Sequence, residues 1–211
     1  MLNFRNQAIV ITGGSSGLGL ELARHLAREG ARLTLIARDR DRLERAAQEL
    51  RAQPGGATVR IEALDIRDEA AVQACMQRIA DADGRIDMLI NSAGILREGR
   101  IESLPLKDFR DVMEINFFGL LIATRAAVPY LKASHGRLVN IASVAGLPGV
   151  FGYTPYCSSK HALVGLTESL RYEVAPMGIT VHLGCPGEFD SPMTDELDAS
   201  RRPENRAHTQ T

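Results

Sequence analysis

The sequence predicts an α/β fold, a doubly wound parallel sheet with helices on both faces. Three observations carry that prediction. Strand-length apolar runs alternate with segments of helical period along the chain. The first apolar run passes directly into the glycine- and serine-rich turn Gly13-Gly14-Ser15-Ser16-Gly17-Leu18-Gly19, and then into a helix. The unusual polar clusters all follow apolar runs, so they gather at the edge of the sheet where the strands end.

Ala8 to Thr12 is a short unbroken apolar run, as expected of a buried parallel strand. Leu20, Leu22, Ala23, Leu26 and Ala27 then repeat with helical period up to Gly30, a good stop signal. Arg32 to Ala37 reads as the second strand and Asp39 to Leu50 as the second helix, broken by Pro54-Gly55-Gly56. Val59 to Leu64 is a third strand, Glu69 to Ala80 a helix, and Asp87 to Asn91 a fourth strand. A long helix is expected from near Pro105, a favourable first-turn residue, with Phe109, Met113, Phe117, Leu120 and Leu121 on its apolar stripe. Arg137 to Ala142 is a fifth strand. A helix from Tyr156 to about Ala175 carries the stripe Leu163, Leu166, Leu170 and Val174, and Ile179 to Gly184 is a sixth strand. The expected strand order is 3-2-1-4-5-6, in a Rossmann-like arrangement of three layers, α/β/α.

The chain has 211 residues, 45% apolar and 24% charged, with a net charge of −1. One continuous alternation over that length favours a single domain, 1–211, with 187–211 as part of a substrate loop and C-terminal segment. The charge balance gives no strong field to attract nucleic acid or an anionic membrane. Cys75, Cys157 and Cys185 form neither a disulfide framework nor a metal-ligand pattern, which suits a cytoplasmic protein without a metal. No apolar run approaches the ~20 residues of a membrane span.

A glycine turn between the first strand and helix lets backbone approach a pyrophosphate, and the helix start supplies free N–H groups. Gly13, Ser15, Ser16, Gly17, Leu18 and Gly19 are therefore candidate phosphate contacts. At the end of the second strand, Ala37 stands where an acid would bind ribose hydroxyls, and Arg38 follows. An arginine suits a 2′-phosphate, so NADP(H) is preferred; Asp39 and Asp41 just beyond keep NAD(H) open. Asp65, followed by Ile66, could accept a bond from an adenine amino group or cap the next helix. Asn91, Ala93 and Gly94 would bring small residues close to the cofactor. Tyr156 and Lys160 lie one helical turn apart and can share a site, where the ammonium would lower the phenol pKa. Asn116 is a polar residue on an apolar stripe and needs a partner.

Taken together, Thr12-Gly13-x-x-x-Gly17-x-Gly19, Asn91-Ser92-Ala93-Gly94, Asn116, Ser143, Tyr156-x-x-x-Lys160 and Pro186-Gly187 stand in the order and approximate spacing of the short-chain dehydrogenase/reductase family, which the chain resembles over nearly its whole length. Ser92 departs mildly, since members more often carry asparagine there. The resemblance implies an oxidoreductase acting on CH–OH and C=O groups. Tyr156 would be the catalytic acid/base. Lys160 would lower its pKa and hold the nicotinamide ribose. Ser143 would bind the substrate carbonyl, and Asn116 would complete a water relay to Lys160. Pro186, Gly187 and Ser191 would meet the cofactor's nicotinamide end.

The stretches Leu147 to Tyr153 and Pro186 to Met193, with Arg202-Pro203-Glu204-Asn205, are similar to the 3-ketodihydrosphingosine reductase branch of that family. That likeness implies a long-chain amino-ketone as substrate in sphingolipid synthesis. Other carbonyl or alcohol substrates (3-oxoacyl, steroid or sugar) and a cofactor-binding regulator without turnover are the alternatives. Pro186-Gly187 keeps the general family form where the branch usually reads Pro-Pro. Glu188 and Asp190 could face a cationic amine or simply be solvated. The family usually continues through a further helix and a seventh strand. Asp195 to Thr211 gives no strong strand signal, so both are expected to be missing from this sequence and the sixth strand's edge to be covered by other sequence or by a second subunit. A homodimer or homotetramer is the expected assembly.

Overall fold

A computed structural model describes residues 3–187 of the chain. Among the described residues, six parallel strands form one sheet in the order β3-β2-β1-β4-β5-β6, as the alternation of periods predicts. They are β1 (Ala8–Thr12), β2 (Arg32–Ala37), β3 (Thr58–Ala63), β4 (Met88–Asn91), β5 (Arg137–Ile141) and β6 (Thr180–Gly184). The helices are α1 (Gly17–Arg28), α2 (Arg40–Arg51), α3 (Glu69–Asp83), α4 (Leu106–Met113), α5 (Leu120–Ser134) and α6 (Thr154–Val174).

Side chains alternate across the strands and build two cores. Ile9, Ile11, Leu33 and Leu35 pack with Leu26 of α1 and Leu43 and Leu50 of α2. Val10, Ile36, Leu89 and Leu138 face the other way, onto Met76 of α3, Leu120 and Leu131 of α5, and Leu163 of α6. The three layers follow from this alternation. On the α1/α2 side the coverage thins towards β5 and β6, where Val139 and Ile141 are only half-buried and His182 is exposed.

Caps set the helix starts. Asp39 accepts the Arg42 N–H and Asp68 accepts the Ala71 N–H, so Asp68, not Asp65, caps α3. Pro105 is the residue before α4 and not its first turn. The expected stripe of the long helix is also corrected. Between α4 and α5 the chain makes a π-helical turn, Glu114–Gly119, whose extra residue rotates the register. Val112, Ile115, Asn116, Gly119, Leu120 and Ala123 turn inward, while Phe109, Met113, Phe117 and Leu121 are half-buried. The helical run Leu106–Ser134 is also long and apolar enough to cross a membrane, contrary to the sequence expectation. Leu120, Ala123, Ala127 and Leu131 supply that apolarity and are spent in the core under the sheet.

β1 pairs with β2 on one side and β4 on the other, with Thr12 beside both Ile36 and Asn91. The order in which strands are added reverses here, and the connections leave to opposite sides, which opens a cleft at the strand ends. The expected absence of a further helix and a seventh strand, and the positions of Glu188, Asp190 and Ser191, fall on residues outside the described ones.

Candidate active site

The glycine turn closes the cleft from below. Gly13 has φ +70° and Gly17 φ +51°, both in the left-handed region that glycine reaches without strain. A Cβ on Gly13 would stand 2.8 Å from the Ala93 backbone. One on Gly19 would collide with the Gly13 carbonyl oxygen, so a glycine there lets α1 sit tight under the turn. Thr12 ties the two halves together, its Oγ1 accepting the N–H groups of Ser92 and Ala93 at 3.2 and 3.3 Å. Ser16 is extended at the start of α1 and makes no side-chain cap, leaving the first N–H groups of the helix for another acceptor.

A cavity of about 750 Å³ opens above this turn. Its lining includes the expected Gly13, Ser15, Ser16, Arg38, Asp65, Ile66, Ala93 and Gly94. It also includes Asp39, named above as keeping NAD(H) open, and residues not foreseen: Arg42, the run Ile95 to Glu98, and Ile115. Sequence offered two signals for these. Arg42 follows the helix cap Asp39 by three residues, and Ile95 continues the strand-end loop past Gly94. The expected Gly17, Leu18, Gly19, Asn91, Tyr156, Lys160, Pro186 and Gly187 do not line it.

Asn91 requires a correction. Its side chain is fully buried, and its Nδ2 donates to Thr124 Oγ1 at 2.9 Å and Asn140 Oδ1 at 3.0 Å. Asn140 in turn donates to Thr167 Oγ1 at 2.9 Å. Asn91 thus joins β4, β5, α5 and α6 inside the core, and it does not line the cavity. Asp65 lines the cavity, but Arg67 forks onto its carboxylate at 2.6 to 3.1 Å. Arg67, with a smaller contribution from the field of Arg38, holds that carboxyl below its ordinary range. An adenine amino group would have to share those oxygens.

On the far side of Gly94 lie Asn116, Ser143, Tyr156 and Lys160. A Cβ on Gly94 would stand 3.3 Å from Asn116 Oδ1 and 3.8 Å from Lys160 Nζ. Asn116, in the π turn, is completely satisfied: Oδ1 accepts the Ile95 N–H at 2.8 Å, and Nδ2 donates to Ile95 O at 2.9 Å and Ser159 Oγ at 3.0 Å. Its amide therefore staples the cavity wall to α6. Ser143 Oγ accepts the Ala145 N–H at 3.2 Å and hydrogen-bonds Tyr156. Lys160 Nζ donates to the Ile141 carbonyl at 3.0 Å and sits 5.6 Å from the Tyr156 ring centroid.

The electrostatics reverse one expectation. Lys160 was expected to pull the Tyr156 phenol down. Burial instead pushes the phenol up, and the Ser143 hydrogen bond offsets only part of that. Lys160 is itself desolvated, and its ammonium falls to about 8. The phenol is thus kept protonated beside Ser143, the state needed to donate a proton.

Residues 7–202 match the short chain dehydrogenase family model. The 3-dehydrosphinganine reductase of Danio rerio is 34% identical over 214 residues, covering 100% of this chain but only 64% of its own length. Levodione reductase superposes with a TM-score of 0.90 at 33% identity, covering 96% of this chain and 79% of its own. An NAD+-bound xylitol dehydrogenase superposes with a TM-score of 0.85 at 31% identity, covering 88% and 72%. With its glycine cradle, its cavity and this likeness, the chain belongs to the short-chain dehydrogenase family and is an oxidoreductase of CH–OH and C=O groups that uses a nicotinamide cofactor.

Proposed function

We propose that the chain is an NADPH-dependent carbonyl reductase acting on a long-chain ketone, with 3-ketodihydrosphingosine as the substrate. The observation that carries this reading is the meeting of Ser143, a protonated Tyr156 and a buried Lys160 beside the cleft. Arg38 on the cavity wall, with Ala37 where an acid would bind the ribose, supports NADPH. The exposed Val144, Leu147, Val150 and Phe151 supply an apolar rim just after Ser143, which supports a long chain. The similarity to a 3-dehydrosphinganine reductase supports the same substrate class.

The residues fit a dinucleotide. The turn from Gly13 to Ser16 would hold the pyrophosphate, Asp65 and Ile66 the adenine, and Ala93, Gly94 and Lys160 the nicotinamide half. When bound, that cofactor supplies the hydride. Ser143 Oγ would donate to the substrate oxygen as negative charge develops on it. Tyr156 would pass its proton to that oxygen. Lys160, charged below about pH 8, would stabilise the resulting phenolate. Asn116, with its amide already satisfied, would fix the geometry around Gly94 and Ser159, and a water relay to Lys160 is part of its proposed role. The half-buried Phe117 and exposed Phe118 on the outer face of the long helix support self-association. Three free thiols support a reducing, cytoplasmic setting.

NADPH consumption with 3-ketodihydrosphingosine tests the reading. Tyr156→Phe is expected to lower kcat by at least ~100-fold with dinucleotide affinity within about twofold. Unchanged turnover would overturn the mechanism. Turnover of short ketones only would overturn the substrate.

A further inference from the structure

His161 follows Lys160 on α6 and is exposed. Both of its ring nitrogens meet carbonyl oxygens. Nδ1 lies 2.9 Å from the Cys157 carbonyl, one turn back on the same helix. Nε2 lies 2.9 Å from the Leu147 carbonyl, in the segment that leaves Ser143. A carbonyl only accepts, so each contact is a hydrogen bond only when that nitrogen carries a proton. A neutral imidazole carries one N–H and an imidazolium two. The arrangement therefore suits the cation. In either neutral tautomer a nitrogen lone pair faces a carbonyl oxygen, and turning the ring to relieve that contact moves the other nitrogen as well.

The bond to Leu147 holds a segment with few other ties. Ser143 caps a 3₁₀ turn, Val144–Gly146. A Cβ on Gly146 would stand 3.0 Å from the Lys160 carbonyl, so this turn lies directly on α6. Beyond it, the Leu147 to Val150 backbone takes no other side-chain hydrogen bond among the described residues. The segment is next anchored at Gly152, whose carbonyl accepts the Gly99 N–H at 2.9 Å. The exposed Leu147, Val150 and Phe151 stand between these two ties.

The charges around the ring leave its protonation to decide the hold. Leu147 to Gly152 carries no titratable side chain. α4, the π turn and β6 also pack on α6. Asp108 of α4 is turned to Arg97, and Asp111 to Lys107. Arg110 and Glu114 make no ion pair with the ring among the described residues. His182 points away, on the opposite face of β6 from Val181 and Leu183, which pack into the core with Leu163 of α6. On α6 itself, Tyr156 bonds Ser143, Lys160 donates inward to the Ile141 carbonyl, and Glu168, Arg171, Tyr172 and Glu173 lie two turns or more further on.

We propose that His161 is a positioning residue: as an imidazolium it latches the segment after Ser143 onto α6 and holds the apolar rim in place, and loss of its proton loosens that rim. Imidazoles change charge between about pH 5 and 8, so the hold strengthens as pH falls. The catalytic arm of the test rests on the long-chain reading above; the structural arm does not.

Hydrogen exchange of the full chain, read by mass spectrometry over Leu147 to Tyr153 and corrected for the intrinsic pH dependence of exchange, tests the latch without turnover. Lys160, whose ammonium titrates at about 8, stays mainly charged at both about pH 5.5 and about pH 7.5. The parent segment is expected to exchange about threefold more slowly at the lower pH. His161→Gln keeps one donor and cannot titrate, and should abolish the difference. His161→Ala should exchange faster than the parent at the lower pH and show no difference either. Equal exchange at the two pH values in the parent, or a difference that survives in His161→Gln, would overturn the latch. With 3-ketodihydrosphingosine at the lower pH, His161→Ala is expected to raise KM about fivefold with a smaller change in kcat, and His161→Gln to recover part of it. An unchanged KM would overturn the positioning role. If the parent turns over short ketones only, the substrate reading fails and the exchange result still decides the latch. His161 is exposed, so each variant is expected to melt close to the parent.

Discussion

Lys160 is 5% exposed, sits inside α6, and bonds to the carbonyl of the residue that ends β5. Its burial costs stability, because the charged form loses water. In the folded state its proton leaves at about 8 against 10.5 in a solvated lysine. Between those values the unfolded chain holds more protons, so stability rises with pH there. The penalty is fully present below pH 8 and fades as pH approaches 10.5. Its size is on the order of 3 kcal/mol. Lys160→Met is therefore expected to be more stable than the parent at pH 7, with the gap closing towards pH 10, while turnover is lost. Urea denaturation at the two pH values measures this, and a gap that ignores pH would contradict it. The Tyr-x-x-x-Lys spacing made the pair legible in sequence. The direction of the phenol shift was not legible, because it depends on how much water the fold removes from each group. The same holds for Asn91: an asparagine at a strand end looks alike whether it faces a ligand or Thr124 and Asn140 in the core.

At the scale of elements, the π turn between α4 and α5 connects packing to the site. Its Gly119 lies so close to Ile66 that a Cβ would stand 2.6 Å from Ile66 Cγ1, and Ile66 lines the cavity. Its Asn116 holds Ile95, the next wall residue, from both backbone groups. Asn116→Leu would leave the Ile95 amide and carbonyl without their partner and remove the donor to Ser159 Oγ, which keeps its own bond to the Tyr156 carbonyl. A loss of about 2–4 kcal/mol in stability is expected. Turnover should fall further than dinucleotide affinity if the residue also sets the geometry around Lys160. Paired melts, titrations and rates separate these effects, and affinity falling more than turnover would reject that role. The helices themselves were legible from period and from stops such as Gly30. The π turn was not, since one added residue leaves no mark in a periodic pattern and merely displaces the stripe from Phe109, Met113 and Phe117 to Val112, Ile115 and Asn116.

For the molecule as a whole, chemistry and stability sit at opposite edges of the sheet. The amino-terminal edge is braced by Asp83, whose side chain is 3% exposed and pairs with Arg60 at 2.6 Å and Arg32 at 3.4 Å. Asp83→Asn leaves two arginines short of a counter-charge near β2 and β3, and is expected to cost about 1–3 kcal/mol. Cofactor affinity should be unchanged, since the cleft lies at the other end of the strands. A shift in affinity larger than twofold would refute that separation. The strand order was legible because alternating βα units leave few right-handed arrangements. Arg42 went unnoticed because its place on the cavity wall arises only once Asp39 fixes the first turn of α2.

The position of β1 has a consequence for how the site comes into being. β1 pairs with β4, and nearly eighty residues of chain lie between Thr12 and its partner Asn91. Closing so long a loop is slow and entropically costly, while β1 and β2 are joined by one helix and can meet early. Both walls of the cleft therefore coexist only after the late, long-range pairing is complete. A dinucleotide spanning Arg38 on one side and Gly94 on the other would hold the two halves of the sheet together. Its binding energy would add directly to the stability of the closed state. The cofactor would then act as a clasp on the slowest joint in the fold as well as a reactant.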